Sequence, residues 1–197
     1  MIDVNNDHEK ELVSIVGSTF AGLPRGVFDH DVTTGHKLGS LILGAPILNP
    51  VYIEDLDQDG KTEMIFASGI SNHGAEAGGL NDGEGYLLII ELAGNPVLEW
   101  WKPVDVPNTR FRAYTGRFTD NRGYELVTVT IQSRSTKSHN SQLRSYDLGR
   151  PFANQTPSVV TIPGILILST AGDLDGDGLQ EIYTLSNQGE IVRHERF

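Results

Sequence analysis

Two short stretches of this sequence place carboxylates closely enough to hold a cation. Asp55-Leu-Asp57-Gln-Asp59-Gly60-Lys-Thr-Glu63 and Asp173-Leu-Asp175-Gly-Asp177-Gly178-Leu-Gln-Glu181 both read D-x-D-x-D-G-x-x-E, and both run into apolar residues. In a tight loop, side chains at positions 1, 3 and 5 can turn inward onto one point, and Gly at position 6 permits the sharp bend, often at positive φ. A backbone carbonyl at position 7 and a later carboxylate complete a shell of hard oxygens. Such a shell suits Ca²⁺, which takes six to eight oxygen ligands, better than Mg²⁺, which prefers a strict octahedron and keeps its water. Without an ion the crowded carboxylates repel one another.

Two weaker copies stand in register with these. Asp3-Val-Asn5-Asn-Asp7-His8-Glu-Lys-Glu11 keeps positions 1, 3, 5 and 9 but has His8 in place of the glycine. Arg117-Phe-Thr119-Asp-Asn121-Arg-Gly123-Tyr-Glu125 keeps the closing acid and has Arg117 and Thr119 in place of the first two. Glu11, Glu63, Glu125 and Glu181 follow one another at intervals of 52, 62 and 56 residues. An EF-hand begins with the same D-x-D-x-D-G, but it needs a bidentate Glu at position 12 between two helices. Position 12 is Phe66 in one loop and Thr184 in the other, and strand-like sequence follows each.

The four loops resemble the calcium loops of FG-GAP/VCBS repeats, the integrin-α-like β-propeller family, in which D-x-D-x-D-G-x-x-(D/E) lies between the first two strands of each blade. The resemblance implies an all-β chain, a β-propeller or propeller arc of about four blades, forming a single domain over residues 1–197 with motifs at 3–11, 55–63, 117–125 (degenerate) and 173–181. Carried over by position, it implies Ca²⁺ ligands Asp55, Asp57, Asp59 and Glu63 with the Lys61 carbonyl. It likewise implies Asp173, Asp175, Asp177 and Glu181 with the Leu179 carbonyl. A weaker third set is Asp3, Asn5, Asp7 and Glu11 with the Glu9 carbonyl. In the degenerate motif, Arg117 is expected to place its guanidinium where the ion would sit and to pair with Glu125. The resemblance further implies a secreted or cell-surface, non-enzymatic adhesion module that binds protein or glycan, with no catalytic residues. Its alternatives are the scaffold of a polysaccharide-active, lyase-like enzyme, with Arg110, Arg112, Arg134 and Lys137 as the loose basic cluster, or a structural subunit of an extracellular filament or phage-like assembly.

The elements that must position these loops read as strands. Glu63–Ser68 and Glu125–Ile131 are short runs rich in apolar and β-branched residues. Tyr86–Leu92 and Pro96–Trp101 form an expected hairpin turning at Ala93-Gly94-Asn95, with one of Trp100 and Trp101 in the core. Further strands are expected at Ser158–Ile162, Gly164–Thr170 and Glu190–Glu195, with polar loops at His73–Gly85 and Ser133–Ser141. His30, between Asp29 and Asp31, reads as a solvated turn after Phe28. Repeats of this period with strand-like flanks suggest propeller blades. The sequence opens inside a motif, so the expectation is an arc completed by a partner chain or by the rest of a longer protein, with open edges ready for pairing.

Composition narrows the function classes. The chain has 197 residues, no Cys, 15 basic and 26 acidic residues and a net charge of −11. Nucleic acid and anionic membranes, which require a basic face, are excluded as partners, and no disulfide or thiolate zinc site is possible. No apolar run approaches a membrane span. The N-terminus lacks the basic start and apolar stretch of a signal peptide. At positions 1, 3, 5 and 9, the first, second and fourth motifs carry three, four and four carboxylates, equal in number to the whole acidic excess.

Overall fold

The computed structural model describes the chain apart from residues 1–2, 5–7, 18–22, 56–59, 104–108, 121–122, 133–139 and 196–197. For 48–51, 101–103, 109–111, 132 and 153 the backbone alone is described. The described residues form antiparallel strands and one short 3-10 turn, Phe152–Asn154, with no α-helix. They divide into two compact units, Met1–Pro107 and Asn108–Phe197.

The first unit contains β1 (Glu11–Val16), β2 (Gly26–Asp31), β3 (Lys37–Ile42), β4 (Ile47–Glu54), β5 (Glu63–Ser68), β6 (Glu76–Ala77), β7 (Leu80–Asn81), β8 (Tyr86–Glu91) and β9 (Val97–Pro103). Its sheets are β1-β2-β3 and β4-β5-β8-β9, with β6 and β7 as a small ribbon. β5 and β8 are apolar on both faces, as strands covered on both sides must be, and almost every residue of each is buried. A core of Val27 and Leu43 from the first sheet region, Met64, Phe66, Leu88 and Ile90 from the second, and Leu80 from the ribbon joins the pieces. The expected hairpin is β8–β9, turning at Gly94 with φ 72°. Trp100 is half-buried, and the Trp101 side chain lies outside the described residues.

The second unit contains β10 (Thr109–Gly116), β11 (Glu125–Gln132), β12 (Ser141–Asp147), β13 (Ser158–Ile162), β14 (Leu166–Gly172), β15 (Glu181–Ser186) and β16 (Ile191–His194). Its sheets are β10-β11-β12-β13 and β14-β15-β16. Phe118, Val127, Val129 and Leu143 from the first of these pack with Leu166 and Ile182 from the second, and the Tyr114 hydroxyl meets the Ser169 hydroxyl at 2.8 Å. Pro163 and Gly164 therefore separate strands of two different sheets. The turn expected around His30 is instead strand: Asp29, His30 and Asp31 belong to β2 and pair with β1.

Each repeated motif ends where a strand begins. Glu11, Glu63, Glu125 and Glu181 are the first residues of β1, β5, β11 and β15. All four are buried, between 0% and 4% exposed. A carboxylate is seldom buried unless it is paired, so each of these glutamates must be accounted for chemically.

Candidate metal centres

The loop that ends at Glu181 is described in full. Asp173 and Asp175 lie between β14 and β15 with Asp177, and their carboxylate oxygens, together with one from Glu181, all lie within 4.8 Å of one another. The loop holds this cluster by turning its own amides onto its acids. Asp173 accepts from the Gly176 amide at 2.7 Å and the Gly178 amide at 3.0 Å. Asp175 accepts from the Asp177 amide, and Asp177 from the Leu179 amide at 2.8 Å. Gly176 and Gly178 stand at φ 79° and 87°, a conformation that a Cβ disfavours, so glycine permits the close turn. Leu179 is buried, which anchors the loop at the residue whose carbonyl belongs to the expected ligand set.

The same plan recurs in the other loops. The first acid accepts the amide of position 6 in three of them: His8 to Asp3, Gly60 to Asp55 and Gly178 to Asp173, each at 3.0 Å. Position 6 has positive φ every time, at 72° for His8, 90° for Gly60 and 87° for Gly178. His8 thus adopts the glycine conformation and carries its strain. The closing glutamate accepts the amide of position 2: Val4 to Glu11 at 2.9 Å, Phe118 to Glu125 at 3.2 Å and Leu174 to Glu181 at 3.2 Å. Asn5, Asp7, Asp57 and Asp59 lie outside the described residues, so the first and second ligand sets are seen only at Asp3, Glu9 and Glu11 and at Asp55, Lys61 and Glu63.

The first and second loops each leave one oxygen of the leading acid stranded. Asp3 Oδ1 and Asp55 Oδ1 are buried and make no hydrogen bond. An unpaired buried polar atom costs about 1–3 kcal/mol, and more when it is charged. A hard cation beside the loop would relieve that cost.

In the degenerate third loop, hydroxyl groups reach the closing glutamate. Glu125 accepts from the Thr119 hydroxyl at 2.9 Å and from the Ser145 hydroxyl of β12 at 2.9 Å, as well as from Phe118. Arg117, expected from the sequence to pair with Glu125, is exposed while Glu125 is fully buried. The Arg117 carbonyl instead accepts the Gln180 amide at 2.6 Å, tying the third loop to the fourth.

A guanidinium does enter a loop, but at the fourth and from a strand. Arg193 of β16 pairs with Asp175, with Glu181 at 3.2 Å and with Glu195 at 2.6 Å. The bond from Arg193 and the Asp177 amide hold the Asp175 carboxyl below the ordinary range. Burial and the bond to Glu181 at 3.0 Å raise the Tyr183 phenol.

Sequence reasoning missed Asp29. It is fully buried on β2, and neither of its carboxylate oxygens makes a hydrogen bond. Burial and the charge of Glu11 push its carboxyl above the usual range, against a smaller opposing effect of the His30 amide and ring. No local sequence signal marks it; the β1–β2 pairing places it, across from Val13, two residues beyond Glu11.

Of the basic residues weighed for a lyase, Arg112 is exposed on β10, the Arg110 side chain is outside the described set, and so are Arg134 and Lys137. Compared with models of protein families, with curated proteins and with solved structures, the chain matches none.

Proposed function

We propose that this chain is a Ca²⁺-stabilised, non-enzymatic interaction module of the FG-GAP/VCBS propeller type, whose partner is a protein or glycan at the cell surface or outside the cell. The observation that carries the proposal is the repeated loop: leading acid bonded to the amide of position 6, positive φ at that position, and a buried closing glutamate at the start of a strand. The order of elements supports it. In β4-β5-β8-β9 and β10-β11-β12-β13 the motif joins the first and second strands of a four-stranded antiparallel meander, as a propeller blade requires. In β14-β15-β16 it again follows the first strand, and in β1-β2-β3 it leads into the first strand of the sheet.

The ion's role in this proposal is structural. The ligands would be Asp173, Asp175, Asp177, Glu181 and the Leu179 carbonyl in the fourth loop. Asp55, Asp57, Asp59, Glu63 and the Lys61 carbonyl would serve the second, and Asp3, Asn5, Asp7, Glu11 and the Glu9 carbonyl the first. An ion bound only by the folded loops adds its binding free energy to folding. Extracellular modules hold such ions at about 10⁻⁴–10⁻³ M, the calcium level outside cells.

Thermal melting in excess EDTA and in millimolar CaCl₂, with the bound ions counted by calorimetry, tests the proposal. The expected result is a rise in melting temperature of several degrees and up to three ions per chain, with none at the third loop. Equal melting temperatures and no bound calcium would sink it.

A further inference from the structure

The same strand position faces the closing glutamate in all four sheets, and it is filled differently each time. It is the cross-strand partner of the residue two beyond the glutamate: Asp29 opposite Val13, Ile89 opposite Ile65, Ser145 opposite Val127 and Arg193 opposite Tyr183. Alternation along a strand puts that residue on the glutamate's own face. Two cases fix what the position reaches. Ser145 donates to Glu125 Oε1 at 2.9 Å, and Arg193 to Glu181 Oε1 at 3.2 Å.

In the third sheet a hydroxyl satisfies the glutamate, and in the fourth a guanidinium neutralises it. In the first sheet the same place holds a second acid. Asp29 and Glu11 are both buried, at 0% and 4% exposure, and Asp3 Oδ1 joins the two oxygens of Asp29 as buried atoms without a hydrogen bond. One stranded carboxylate oxygen in the loop and two on the facing strand are relieved by a cation or by a proton.

From this geometry we infer that Asp29 belongs to the cation site of the first loop, a carboxylate delivered by the neighbouring strand that holds Ca²⁺ together with Asp3 and Glu11. The inference rests on the calcium reading above and adds to it a residue outside the loop motif. Asp3, Glu11 and Asp29 do not all lie within 4.8 Å of one another, unlike the acids of the fourth loop. Asp29 therefore meets the ion through its own oxygen or through a bound water, within the six to eight oxygens that Ca²⁺ accepts. The consequence reverses the order suggested by the loop sequences. The first loop, despite His8, binds tightly because a buried acid backs it, whereas the fourth binds against the charge of Arg193.

Calcium titration of the full chain by calorimetry tests this, using wild type, Asp29→Asn, and the same substitution on an Asp55→Asn/Asp173→Asn background that leaves the first loop alone intact. Asp29→Ser, which copies the third sheet, provides a second variant. The expected result is one Ca²⁺ bound by the background protein and a tenfold or greater weakening of that site by Asp29→Asn. Both Asp29 variants should melt in EDTA at or above the temperature of their parent, because an unpartnered charge has been removed. An unchanged dissociation constant, or a lower EDTA melting temperature with unchanged binding, would mark Asp29 as a structural carboxyl and overturn the inference. So would a background protein that binds no ion while wild type binds two. A wild type that binds no calcium would overturn the calcium reading itself.

Discussion

Asp82 is a further buried acid of the first unit, and it has the partners that Asp29 lacks. Burial works against its charge, but hydrogen bonds from the Ser71 hydroxyl and the His73 and Gly74 amides outweigh it and hold its carboxyl at about 2. Arg25, fully buried, stands 3.9 Å away. Because this folded value lies below the ordinary 3.8, the stabilisation is complete above about pH 4 and is lost as the pH falls through about 2, a weight on the order of 2 kcal/mol. Asp82→Asn should therefore lower stability in urea at pH 7, and its difference from wild type should shrink between pH 4 and pH 2. At this scale the sequence was readable where residues repeat. The four glutamates could be aligned, and all four are buried. Asp29 was not readable, since an acid beside a histidine and a second acid looks like a solvated turn until strand pairing places it inside.

The strands themselves were legible from periodicity, because Glu63–Ser68, Tyr86–Glu91 and Glu125–Gln132 are apolar or β-branched runs that only a sheet interior accommodates. What periodicity does not carry is which strand meets which. Ser158–Ile162 and Leu166–Gly172 are neighbours in the chain, yet β13 closes one sheet and β14 opens the next. The Gly-rich stretch after His73 reads as a loose loop, whereas Asp82 fastens it and β6–β7 pair within it. Pairing also sets the steric limits of each element. At the start of β2, Gly26 has φ 149°, and a Cβ there would lie 1.8 Å from the Leu41 carbonyl of the β2–β3 register. Gly26→Ala should cost about 3 kcal/mol or more, the range reserved for backbone strain and core disruption, measured as a lower urea midpoint with an unchanged slope.

For the molecule as a whole, two units each carry two motifs: the first and second in residues 1–107, the third and fourth in 108–197. Calcium should therefore act on both. Hydrogen exchange with and without CaCl₂ should show new protection at 3–11, 55–63 and 173–181 and none at 117–125, where Thr119 and Ser145 already satisfy Glu125. Protection appearing at 117–125 alone would contradict the loop assignments. The net charge of −11 takes a local meaning here, since positions 1, 3, 5 and 9 of the first, second and fourth motifs hold as many carboxylates as the whole excess. Three bound Ca²⁺ would leave about −5, an ordinary value for a soluble domain. The strand position opposite the residue two beyond the closing glutamate sets how much of that carboxylate's need is met from inside the sheet. Ser145 and Arg193 bond the glutamate from there. The third sheet combines Ser145 with a loop that keeps only the closing acid of the motif, so its glutamate is served by hydroxyls. The fourth combines Arg193 with all four acids retained, so one cationic side chain there is shared among several carboxylates.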